Sequence, residues 1–153
     1  MTNLPMTQTL PDEADTAALA HRIAPILRPG DVLLLSGEIG AGKSAFSRAL
    51  IRARLGRMED VPSPTFTLVQ TYEAPDGDIW HCDLYRLTHA DEVFELGLDE
   101  AFTHAICLIE WPDRLGDDAP RNALSLSFSA GETAHQVAID GSNHWATRLQ
   151  AVL

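Results

Sequence analysis

The residues with the plainest chemical purpose are the run Gly37-Glu38-Ile39-Gly40-Ala41-Gly42-Lys43-Ser44. It fits the phosphate-binding pattern G-x-x-x-x-G-K-[ST], in which backbone N–H groups curl around an anion at a helix N-terminus. Lys43 has the reach for β- and γ-phosphates, and the Ser44 hydroxyl is placed to bind Mg²⁺. Lys43 is also the only lysine in the chain; the other ten of its 11 Lys and Arg residues are arginine. A compact ammonium on a flexible stem therefore stands only where the pattern asks for one.

Such a loop needs acidic partners at the C-terminal ends of neighbouring strands. Two carboxylates fit. Glu110 ends the apolar run Ile106-Cys107-Leu108-Ile109, and Asp83 ends Ile79-Trp80-His81-Cys82. A charge at the end of a buried strand calls for a partner, which Mg²⁺ would supply; a helix cap or surface turn is the other reading of each. His81 alternates with Asp83, so both side chains point to one face, where a histidine serves structure as readily as chemistry. Tyr85-Arg86 either brings a cation near phosphate or forms an exposed loop. Asp91, Glu92, Glu95, Asp99 and Glu100 read as solvated helix faces.

The elements that must hold these residues follow from pattern. Val32-Leu33-Leu34-Leu35-Ser36 reads as a buried strand before the loop, and residues 44–55 as a helix after it, stopped by Gly56. On that helix Phe46, Leu50, Ile51 and Leu55 face the core, while Arg48, Arg52, Arg54 and Arg57 form a solvated face. Upstream, residues 1–7 read as a loose end, Thr9-Leu10-Pro11 as a short edge strand, and an acidic helix start at residues 12–16 leads a helix to about Leu27. The prolines of Val61-Pro62-Ser63-Pro64-Thr65 exclude helix. Residues 66–72 and 79–83 alternate as a hairpin about the turn Pro75-Asp76-Gly77-Asp78. Short helices at 90–96 and 98–102 hinge at Gly97. Residues 105–110 read as a central strand covered on both faces. Residues 123–128 and 135–139 read as an antiparallel addition, and a helix at 144–152 closes the chain.

Composition sets limits. At 153 residues, with 45% hydrophobic and 22% charged residues, the chain reads as one globular P-loop domain spanning 1–153. No apolar run approaches the ~20 residues of a membrane span, and the first ten residues lack a signal pattern, so a cytoplasmic location is expected. Cys82 and Cys107 have no C-x-x-C spacing and read as buried free thiols. A formal charge of −11 disfavours direct, tight nucleic-acid binding, while a local phosphate site still takes a nucleotide with its Mg²⁺.

The phosphate loop, Ser63-Pro64-Thr65-Phe66-Thr67-Leu68, His81-Cys82-Asp83-Leu84-Tyr85-Arg86-Leu87 and Leu108-Ile109-Glu110-Trp111-Pro112 together resemble the bacterial TsaE (YjeE) family. The resemblance covers roughly residues 8–150. It implies an α/β P-loop NTPase fold, three-layered, with a mixed parallel and antiparallel central sheet. It also implies a weak ATPase of the tRNA threonylcarbamoyladenosine pathway, resetting a complex of TsaD-like and TsaB-like proteins and meeting tRNA only through them. By motif position Lys43 would bind phosphate, with Gly37, Glu38, Gly40, Ala41, Gly42 and Ala45 around ATP or ADP. Ser44 and Glu110 would hold Mg²⁺, and Asp83 would serve hydrolysis. Trp111 would lie beside the nucleotide, Glu13 and Thr16 near the base, and residues 63–67 would form a switch-like loop. The chain departs from the family pattern in having Ser44-Ala45 where Thr-Thr is usual, and His135-Gln136 where some relatives carry an arginine. Two other classes fit the loop alone. A small-molecule kinase would need an Arg-bearing lid after the central strand, and none is apparent. A regulatory module without turnover would tolerate loss of Asp83 or Glu110.

Overall fold

The computed structural model describes residues 3–64, 67–89 and 91–153. A seven-stranded sheet runs through them in the order β1-β7-β6-β2-β5-β4-β3. Its strands are β1 (Met6–Leu10), β2 (Val32–Ser36), β3 (Val69–Ala74), β4 (Gly77–Asp83), β5 (Ile106–Glu110), β6 (Leu124–Ala130) and β7 (His135–Asp140). The central four, β6-β2-β5-β4, are mutually parallel; β3, β7 and β1 add antiparallel at the two sides. The mixed sheet expected from the family resemblance is present.

Helices cover both faces, giving three layers. α1 (Glu13–Ile23), α2 (Lys43–Leu55) and α5 (Asn143–Leu149) share one core with Leu33, Leu35, Leu108, Leu124 and Leu126. α3 (Asp91–Glu95) and α4 (Leu98–His104) pack on the other face, against Val32, Cys82, Cys107 and Ile109. The unbroken apolar run of β5 is explained by this double cover: all five of its residues are buried.

Local chemistry explains the boundaries, and several differ from the sequence expectations. Asp12 and Asp15 form a reciprocal capping box at the start of α1. That helix stops at Ile23 and passes into a 3-10 turn, Ala24–Ile26, instead of reaching Leu27, because Pro25 cannot donate an N–H. The edge strand begins at Met6, so Met6 and Thr7 are no loose end; pairing with β7 supplies a partner that local propensity could not reveal. The first hairpin strand begins at Val69, after Leu68 turns left-handed at φ 67°; Phe66, placed in that strand by pattern, lies outside the described residues. β6 is no peripheral addition: it lies parallel and adjacent to β2.

The arginines of α2 also behave differently from a solvated face. Arg54 donates to the carbonyls of Ala24 and Leu27, and Arg52 to that of Glu59. Arg57, just beyond α2, keeps to the expectation: it is exposed and paired with Glu59. A guanidinium fork can close several orphaned helix-end carbonyls, which a lysine cannot do as well.

Candidate functional site: a phosphate loop between two strand-end carboxylates

The loop between β2 and α2 can tighten only because its glycines adopt positive φ. Gly37 (φ 136°) runs so close to β6 that a Cβ would lie 2.4 Å from the Phe128 carbonyl oxygen. Gly42 (φ 118°) turns the chain into α2, whose first residue is Lys43. The first-turn N–H groups of a 13-residue helix thus open toward the end of the parallel strands.

Lys43 is buried, with its Nζ donating to the Gly37 carbonyl and lying 3.7 Å from the centre of the Trp111 ring. Burial lowers its pKa, and the charges of Glu110, Asp83 and Asp113 oppose that shift. Trp111 holds a left-handed backbone (φ 58°) directly after β5, and its ring packs on Tyr85 at 4.9 Å. A non-glycine residue in that region costs energy, so its position is maintained by its surroundings. Here those are the lysine and the tyrosine.

Asp83 and Glu110 stand opposite each other in the parallel register of β4 and β5, and both are buried. Asp83 accepts a hydrogen bond from the Tyr85 N–H at 3.0 Å. Glu110 accepts the Ser44 hydroxyl on Oε1 at 3.3 Å, while its Oε2 lies 2.6 Å from His81 Nε2. Two adjacent buried carboxylates beside the phosphate loop are a setting into which a divalent cation would fit. The oxygen donors Ser44 and Glu110 suit Mg²⁺. Among the described residues no group of three or more His, Cys, Asp or Glu side chains forms a metal cage. A cation here would complete its shell with phosphate oxygens and water, as Mg²⁺ usually does.

A cleft of about 740 Å³ opens over these groups, within the size range of small-molecule sites. Of the residues singled out from sequence, Glu13, Thr16, Gly40, Gly42, Lys43, Ser44, Ala45, Asp83, Glu110 and Trp111 line it. Gly37, Glu38 and Ala41 do not: Gly37 lies against β6, Glu38 is exposed, and Ala41 is in the core. Ser63 reaches the cleft wall, and of the switch-like segment Thr65 and Phe66 lie outside the described residues. Sequence reasoning missed Arg48 as a cleft residue and the connection 131–135, whose end His135 pairs with Leu10 just ahead of α1. Gly131 is a turn residue that could have pointed to a loop there, but only the place of β6 beside β2 brings it to the phosphate loop. His135, standing where some relatives carry arginine, is part of that wall.

Strand–loop–helix geometry at the carboxyl end of a parallel sheet places the chain in the P-loop NTPase class. The family model for "Threonylcarbamoyl adenosine biosynthesis protein TsaE" matches residues 10–138. The chain belongs to the TsaE family. It is 43% identical over 119 residues to a tRNA threonylcarbamoyladenosine biosynthesis protein TsaE of Rickettsia bellii, covering 78% of this chain and 83% of that protein. The TsaE of Bacillus subtilis is 36% identical over 125 residues, or 80% and 77% of the two chains. The crystal structure of Bacillus subtilis YdiB superposes with a TM-score of 0.81 at 27% identity, covering 99% of this chain and 95% of that one.

Proposed function

We propose that this protein is a Mg²⁺-dependent ATPase acting in the formation of threonylcarbamoyladenosine on tRNA. In this reading it hydrolyses ATP to ADP and phosphate, and so resets a transfer complex of TsaD-like and TsaB-like partners. One observation carries the hydrolytic part: Asp83 and Glu110, buried side by side, with Glu110 joined to the Ser44 hydroxyl at the mouth of the phosphate loop. The pathway is supported by membership of the TsaE family and by the names of the relatives.

Each residue has a task. The α2 N-terminus and loop amides bind phosphate oxygens. Lys43 exchanges its contact with the Gly37 carbonyl for one with phosphate. Ser44 and Glu110 would hold Mg²⁺, which when bound neutralises phosphate charge. Asp83 orients the attacking water and takes its proton. Trp111, braced by Tyr85, keeps Lys43 pointed inward and offers a stacking surface. Glu13 and Thr16 line the same cleft, and the base would lie beside them.

Arg48 is the one arginine among the described residues that lines the cleft, and it sits a turn past Ser44 on α2. Further positive charge for the transition state has to come from a partner, so unassisted turnover is slow. A formal charge of −11 suits docking on proteins and leaves the polyanionic tRNA to them. The test is ATP turnover with Mg²⁺, alone and with both partner proteins. The expected result is slow basal hydrolysis that rises sharply when both partners are present. Absence of stimulation by demonstrably active partners would sink the reset role.

A further inference from the structure

We propose that His81 is a positioning residue for Glu110, fixing the carboxylate so that one oxygen stays turned toward Ser44 and the cation. The proposal rests on the reading of Glu110 as a Mg²⁺ ligand and extends it to a histidine outside the cleft wall.

The register of β4 and β5 supplies the geometry. His81 pairs with Leu108 and Asp83 with Glu110, so His81, Asp83 and Glu110 share one face of the sheet. His81 is only 2% exposed, and its Nε2 lies 2.6 Å from Glu110 Oε2. Its other ring nitrogen, Nδ1, is buried and has no hydrogen-bond partner among the described residues. A proton on Nδ1 would be a buried donor with no acceptor, which is costly; a bare lone pair there costs less. The proton therefore sits on Nε2 and is donated to Glu110.

The carboxylate's two oxygens are thereby divided between two neighbours. Oε2 is occupied by His81 on the protein side, and Oε1 lies 3.3 Å from the Ser44 hydroxyl on the cleft side. The last torsion of a glutamate is broad and roughly two-fold, so an untethered carboxylate would swing. Outer partners of this kind orient metal ligands, and their loss typically weakens the metal site. His81 does not line the cleft, so it exerts its effect through Glu110 and not on the nucleotide.

The experiment uses a fluorescent ADP analogue, titrated with and without Mg²⁺, on the full chain. His81→Leu removes both ring nitrogens at similar volume; His81→Gln keeps an N–H donor. His81→Leu should leave affinity in EDTA unchanged and raise the Mg²⁺ concentration for half-maximal effect by roughly 10- to 100-fold. His81→Gln should stay much nearer the parent. In a Glu110→Gln background, His81→Leu should add nothing further. A parent-like Mg²⁺ midpoint for His81→Leu, a loss for His81→Gln as large as for His81→Leu, or additive losses with Glu110→Gln would each overturn the proposal. If Glu110→Gln itself leaves the midpoint unmoved, the Mg²⁺-ligand reading fails instead and takes the proposal with it. The ring ¹⁵N spectrum of the parent gives a readout that needs no variant to fold. An Nε2-protonated ring is expected, and an Nδ1-protonated ring would overturn the assignment.

Discussion

The two faces of β4 and β5 are built from alternate residues of the same strands, yet they do different work. Toward α1 and α2 the strands present Ile79, Ile106 and Leu108, then His81, Asp83 and Glu110. Toward α3 and α4 they present Cys82, Cys107 and Ile109, with Leu84 beyond them. The first face is apolar where it packs under α2 and turns ionisable only at the carboxyl ends. The second stays apolar throughout. The buried charged and polar residues of these strands are confined to the tips of one face, where the phosphate loop leaves space, and the cost of burying charge is confined with them.

Substitutions on the two faces should therefore separate function from stability. The largest effect is expected at Asp83→Asn, which should lower ATP turnover by about 10²- to 10⁴-fold. Its unfolding midpoint should remain near the parent's, so turnover and urea titration on the same sample test the separation. Ile109→Ala should behave in the opposite way. Loss of a fully buried side chain costs about 2–5 kcal/mol in urea unfolding, while nucleotide affinity of the folded protein stays put.

An effect of similar total size, but spread over about three pH units, is expected from pH. Burial raises the Cys107 pKa from 9.0 to about 12, and raises that of Cys82 well above 9.0. Unfolded thiols then lose their protons first, so stability is full below about pH 9 and falls as pH rises from 9 toward 12. The slope reaches at most about 1.4 kcal/mol per pH unit for each thiol, and Cys107→Ala should flatten it. Urea midpoints at a series of alkaline pH values measure this. The smallest effect is expected at Glu110→Gln, which keeps a hydrogen-bonding oxygen but sheds a charge beside Asp83. Its stability should equal or exceed the parent's by up to about 1 kcal/mol, although the Mg²⁺-dependent function is lost. A clear loss of stability would mean that the charged form of Glu110 helps hold the fold.

What could be read from sequence was whatever depends on local spacing. The phosphate loop, the strand before it and the helix after it are contiguous, and Asp83 and Glu110 announce themselves as acids ending apolar runs. What could not be read depends on which strand lies beside which. The bond from His81 to Glu110 needs the parallel register of β4 on β5, and the wall at 131–135 needs β6 next to β2. The contact of Lys43 with Trp111 needs a left-handed residue after β5, which Trp111-Pro112 does not signal. The arginines of α2 looked solvated because helical periodicity says nothing about the carbonyls of a neighbouring turn, where Arg54 ends.

The outermost strand has a consequence for the order of events during synthesis. β1 is made before every other strand of the sheet, yet its partner among the described residues is β7, with Gln8 opposite Val137. Until β7 emerges, the first strand has nothing to pair with and must wait, because so distant a contact forms only after a long loop is closed. The cleft shares that delay, since Leu10 to Glu13 and residues 131–135 both line it and meet where Leu10 pairs with His135. A nascent chain interrupted before β7 would already carry the phosphate loop and both strand-end carboxylates, but not a finished enclosure around them. Assembly of the site is thus deferred until β7 has been made.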